Sequence, residues 1–149
     1  MGVMRTRLYN SLIAFFGGLF GVNILFVLFY LIPFENLFPP TPLGNFLFTL
    51  IVVSFIEEGA KFLLIKRDIG QFPYGFLLGF GFGVGETILK HPFFISGVAP
   101  KIEAGAILLH SVTAGIICYF VKKNKPVLGF LIAIIIHTGY NLLIDWVVQ

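Results

Sequence analysis

The 149-residue sequence predicts an all-α, polytopic bundle of transmembrane helices with about five spans and its N-terminus inside. Three observations carry that expectation. Hydrophobic residues make up 58% of the chain and the mean hydropathy is +0.98. Charged residues make up only 11%, where an ordinary soluble domain carries about a quarter. Finally, five stretches approach the roughly 20 mostly apolar residues needed to cross about 30 Å of hydrocarbon.

Those stretches run from Leu8 to Ile32, Leu43 to Ile65, Phe72 to Leu89, Ala104 to Val121 and Val127 to Val148. The first follows Arg5 and Arg7, as a signal peptide would, but its apolar run is too long and no small-residue cleavage site follows, so it reads as a retained helix. Breakers separate the spans: Pro33, Pro39, Pro40 and Pro42 after the first, Asp68 and Gly70 after the second, Pro92 and Pro100 after the third, and Asn124 with Pro126 after the fourth. The whole of 1–149 reads as a single domain without internal repeats.

Charge placement sets the direction. Arg5, Arg7, Lys66, Arg67, Lys122, Lys123 and Lys125 fall on one side of the alternating spans, against Lys90 and Lys101 on the other. Seven against two puts the N-terminus inside, and the segments Phe34 to Pro42 and His91 to Glu103 outside. The resulting expectation is a multi-pass protein of the cell membrane whose first partner is the lipid bilayer. Ten basic against seven acidic residues, a net +3 without a basic stripe, exclude a nucleic-acid partner. High hydrophobicity excludes disorder. The single cysteine, Cys118, excludes an intrachain disulfide framework and a cysteine-based zinc site.

Function has to be sought where the solvent is oil. An ionisable group at mid-membrane costs about 2.5 to 3.5 kcal/mol and usually faces a bundle interior or wet cavity. Here Glu57, Glu58 and Lys61 fall in span two, Glu86 in span three, His110 in span four, and His137, Asn141 and Asp145 in span five. Three uncompensated glutamates would cost about 8 to 10 kcal/mol, as much as a whole domain's net stability. Helical spacing says how they meet. Glu57 and Lys61 share a face and Glu58 is also within i,i+3 reach of the lysine, so one acid can be held while the other does chemistry. His137 and Asn141 are i,i+4, two neighbouring donors suited to an oxyanion, or alternatively a polar glue between helices. Gly75, Gly79 and Gly83 form a face on which another backbone can approach, and Glu86 continues it. At 1.5 Å per residue from the inner ends, Glu86, His110 and Asn141 lie at roughly 17 to 21 Å, His137 at roughly 15 Å and Glu57 at roughly 12 Å. Asp145, near the outer end, is expected to be solvated.

The order of these elements resembles a known family. Glu57-Glu58-Gly59-Ala60-Lys61 is similar to the EExxK element of PrsW-type intramembrane proteases, Phe82-Gly83-Val84-Gly85-Glu86 to their FxxxE element, and His137-Thr138-Gly139-Tyr140-Asn141 to the terminal HxxxN. The wider clan contains the CAAX-prenyl endopeptidases and bacteriocin-processing proteins, which usually carry EExxxR and FxxxH; Lys61 and Glu86 favour the PrsW branch. The resemblance covers roughly residues 48 to 145. It implies an endopeptidase acting on membrane-embedded or membrane-proximal peptides, with Glu57 as the base that activates water, Glu86 assisting, and His137 and Asn141 steadying the oxyanion. Glu58 and Lys61 would form a structural pair, and His110 would support.

Two alternatives use the same residues. Glu57, Glu86, His110 and His137 offer oxygen and nitrogen ligands for a catalytic zinc. A metal-free site without cofactor is the preferred expectation, because no HExxH element occurs and zinc leaves Asn141 without a role. The other alternative is a small transporter or ion-pathway subunit, for which a chain of this size would be expected to assemble as a homo-oligomer.

Overall fold

The computed structural model describes residues 2–31, 37–65, 72–90 and 99–148, and among them every regular element is helical. They form α1 (Gly2–Leu31), α2 (Pro42–Leu47), a π-helical segment (Phe48–Phe55), α3 (Ile56–Leu64), α4 (Phe72–Lys90), α5 (Ala99–Lys122) and α6 (Pro126–Val148). Four of these helices contain stretches long and apolar enough to cross a membrane: Leu8–Leu28, Phe72–Leu89, Ile102–Lys122 and Pro126–Trp146. The chain is therefore a multi-pass integral membrane protein. The remaining expected span, Leu43 to Ile65, is a continuous helical run in three pieces, its middle switched from i→i+4 to i→i+5 hydrogen bonding. Pro33, Lys66, Arg67, Asp68, Gly70, His91 and Pro92, given connecting roles above, lie outside the described residues.

Local chemistry explains the described boundaries. Thr41 caps α2, its hydroxyl accepting from the Gly44 N–H at 3.1 Å, and Pro42 takes the first helical position, where a missing N–H is harmless. Between α5 and α6, Asn124 adopts a left-handed conformation with φ 59°. The Lys125 N–H then reaches back to the Phe120 carbonyl at 2.9 Å and the Asn124 N–H to Val121 at 3.1 Å, a Schellman closure with Pro126 opening the next helix. Pro100, expected in a connection, instead occupies the second position of α5, which begins at Ala99.

The helices close into a ring. α1 packs along α4, α4 along α5 and α5 along α6; α6 returns to the π-segment, and α3 touches α1, α5 and α6. Outward-facing Phe20, Ile24, Leu63, Ile135 and Trp146 are exposed, as helices facing lipid require. Glycine makes the ring tight. A Cβ at Gly75 would meet the Ala114 carbonyl of α5, one at Gly79 the His110 carbonyl, and one at Gly83 the Cα of Ile107. The opposite face of α4 has the same character, Gly81 and Gly85 lying against the Phe15 and Leu19 backbone of α1. With no hydrophobic force between helices in lipid, such close packing is what holds them together.

Gly79 and Gly139 make a controlled pair. Gly79→Ala places a methyl on backbone, which cannot yield cheaply, and should destabilise by about 1 to 3 kcal/mol. Gly139→Ala meets open space and should be neutral or stabilising by up to about 1 kcal/mol. Thermal unfolding in detergent micelles, followed by the helical circular-dichroism signal, should show the first melting below wild type and the second not.

Candidate active site

The site begins at α3. The π-segment ends at Phe55 and the helical run continues into α3, whose first turn carries Glu57 and Glu58 and whose last turn carries Lys61. All three are buried, Glu58 and Lys61 completely. The ammonium of Lys61 has three hydrogens and three partners: Glu58 Oε1 at 2.5 Å, His110 Nδ1 at 2.8 Å and Thr113 Oγ1 at 3.1 Å. Its Nζ also lies over the Phe82 ring, 5.0 Å from the ring centre. Of the two acids within its reach, then, the lysine is bonded to Glu58.

Donor and acceptor arithmetic fixes both imidazoles. An ammonium only donates, so His110 Nδ1 accepts and its proton resides on Nε2, which is hydrogen-bonded to Glu86 Oε2. Glu58 Oε1 also receives the His137 Nδ1–H at 2.6 Å, which places the lone pair of His137 on Nε2. That atom faces Glu57 Oε2 at 3.6 Å, while the same oxygen lies 4.0 Å from His110 Nε2. The two rings meet edge to face, 5.0 Å between centres. Glu57, Glu86, His110 and His137 thus come together at one level. The rough depths placed Glu57 shallower because counting from segment ends assumes that all ends lie in one plane.

Asn141 stands one turn beyond His137 and lines, with Glu86, His110 and His137, a cavity of about 410 Å³. Its walls come from Asn45, Phe48, Thr49 and Val53 on the composite span, Ile102, Ala106 and Leu109 on α5, and Tyr140, Ile144 and Asp145 on α6. These residues belong to the first half of the composite span, the first half of α5 and the second half of α6, so the cavity extends toward the end of the bundle opposite that bearing Lys122 to Lys125. The Tyr140 hydroxyl donates to the Ile102 carbonyl at 3.0 Å, clamping α6 to α5 beside it.

Every expected site residue is therefore in or beside one cluster. Thr113 is an addition: its hydroxyl contacts Lys61, Glu58 Oε1 at 3.1 Å and the His110 carbonyl at 3.2 Å. The signal for it was a hydroxyl at i+3 from His110, whereas the i+4 position, Ala114, offers nothing polar. His110, expected only to support, is the hinge of the cluster, bonded to both Lys61 and Glu86. Comparison with protein-family models, with curated proteins and with solved structures finds no match.

Removing Lys61 leaves Glu58 buried without its cation. Lys61→Met should destabilise by about 3 to 5 kcal/mol, and the double variant Glu58→Gln with Lys61→Met should recover part of that loss. Thermal unfolding of the three proteins in one detergent checks it; a single variant that melts with wild type would show that the pair carries no stabilising charge.

Proposed function

We propose that the chain is an intramembrane endopeptidase of the PrsW type, hydrolysing peptide bonds of membrane-embedded or membrane-proximal substrates with water activated by a glutamate. One observation carries this reading: two carboxylates and two imidazoles, all buried, converge beside a cavity large enough for several peptide atoms in the middle of a lipid-facing bundle. Intramembrane acids and histidines are costly to keep, so an arrangement that keeps four together is best explained by chemistry. The three sequence elements of the resemblance supply Glu57, Glu86 and His137 independently of the geometry, and the geometry adds His110.

In this mechanism a water that enters from the cavity past His137 gives its proton to Glu57, which lies behind the lining residues, as that water attacks the scissile carbonyl. His137 Nε2, beside the Glu57 oxygen, receives the proton, and Glu58 at Nδ1 steadies the imidazolium that forms, as a buried carboxylate does for a catalytic histidine elsewhere. The charged ring then donates to the oxyanion, with the Asn141 amide beside it, and returns the proton to the departing amine. Glu86 and His110, joined by their own hydrogen bond, hold a proton at the cavity wall. General acid-base help contributes about 10² to 10⁴ in rate and an oxyanion donor about 10² to 10³, and the cluster supplies both. With the N-terminus on the cytoplasmic side, the orientation the basic segments favour, the cavity would open outward.

A zinc-dependent version has one observation in its favour: Glu57, His110 and His137 each offer a ligand atom, all within 4.8 Å of one another. Against it, the lysine on Nδ1 leaves His110 Nε2 carrying a proton, and a ligating nitrogen must present a lone pair. The metal-free reading accommodates the lysine unchanged.

Glu57→Gln should lower cleavage of a fluorogenic membrane peptide by at least about 10²-fold while leaving the melting transition in place. Full activity would remove Glu57 as the base. Chelation should leave activity unaltered; loss on chelation with recovery on adding zinc would establish the metal version.

A further inference from the structure

The cluster accounts for one end of the cavity and leaves Asp145 at the other. His137, Asn141 and Asp145 follow one another at four-residue steps on α6, and all three line the cavity. They form a polar ladder up one helix face, from the buried His137 to the exposed Asp145. Asp145 makes no ion pair or hydrogen bond among the described residues. The elements packed beside this end of α6 contribute to the cavity wall the uncharged polar side chains of Asn45 and Thr49 and the apolar ones of Phe48 and Ile102. Among the described lining residues the charged side chains are acidic, Glu86 below and Asp145 above, and the one buried lysine is spent on Glu58, His110 and Thr113. An occupant of this cavity meets negative charge at its outer end with nothing in the described wall to balance it.

We propose that Asp145 selects substrates bearing a basic side chain close to the scissile bond, on the segment that runs up α6 toward the cavity mouth. Eight residues of helix separate His137 from Asp145, about 12 Å along the axis. An extended peptide covers that distance in three to four residues, so lysine or arginine three or four positions from the cleaved bond brings its cation onto the carboxylate. The apolar walls contributed by Phe48, Val53, Leu109 and Ile144 receive the uncharged residues between. This selection rests on the endopeptidase reading for the position of the scissile bond, but not for the preference for a cation.

Binding separates the two. The probe is an N-acetylated apolar peptide carrying a neutral fluorophore and one lysine, compared with its norleucine twin, on the full chain in an uncharged detergent. The lysine peptide should bind wild type about fivefold tighter, the worth of a partly exposed ion pair. That preference should vanish in Asp145→Asn and reverse in Asp145→Lys toward a twin carrying glutamate. Equal binding of the two peptides to wild type, binding of neither, or a lysine preference that persists in Asp145→Asn would overturn the proposal. A lysine peptide that binds in the expected order yet stays intact supports the cation selection and counts against the endopeptidase reading alone.

Discussion

A buried ammonium fixes this structure. Lys61 is the one cation among the described buried residues, and each of its three hydrogens is already committed. Taking it out of water costs several kcal/mol, and only partners held at hydrogen-bond distance repay that. Glu58 must therefore stay ionised, His110 must present Nδ1 as an acceptor, and Thr113 must turn its oxygen inward. Through Glu58 the same constraint orients His137, and through His110 it orients Glu86. Three of the side chains assigned to chemistry, His137, His110 and Glu86, are thus set by one that does none.

The backbone arrangement follows from that requirement. His110 reaches Lys61 and Glu86 together because α5 lies almost against α4, and it does so because Gly79 carries no side chain where the His110 carbonyl passes. Replacing that glycine would move an imidazole as well as a helix. The more extensively packed half of the ring, α1 with α4 and α5, holds Glu86 and His110. The other half, the composite span and α6, carries Glu57, Glu58 and His137 and leaves the cavity between itself and α5.

Much of this was legible in the sequence because membranes are strict. Apolar runs of about 20 residues announce helices, and a charge inside one announces a partner. The glycine face of α4 and the turn at Asn124 could be read from spacing alone. The pairing of Lys61 with Glu58 was one of two options left by helical geometry, and tertiary contacts from α5 and α6 decided it. The π-segment could not be read, since in Phe48–Phe55 only Thr49 and Ser54 interrupt the apolar run and hydropathy does not distinguish i→i+4 from i→i+5 bonding. The centrality of His110 was hidden for a similar reason: its partners are 49 and 24 residues away, and no local pattern records them. Asp145 looked like a solvated end residue and is indeed exposed, but only the assembled bundle puts it on the same cavity as His137.

The central claim is that water trapped beside Glu57 and Glu86 is consumed in breaking an amide. Isotope incorporation tests it most directly. The protein is reconstituted in lipid vesicles with a membrane-spanning peptide, transferred to water enriched in oxygen-18, and the products are weighed by mass spectrometry. The account predicts two fragments, with the heavy oxygen in the new carboxyl terminus and none in the new amine. A peptide that stays whole, or fragments whose carboxyl terminus carries no label, would contradict it.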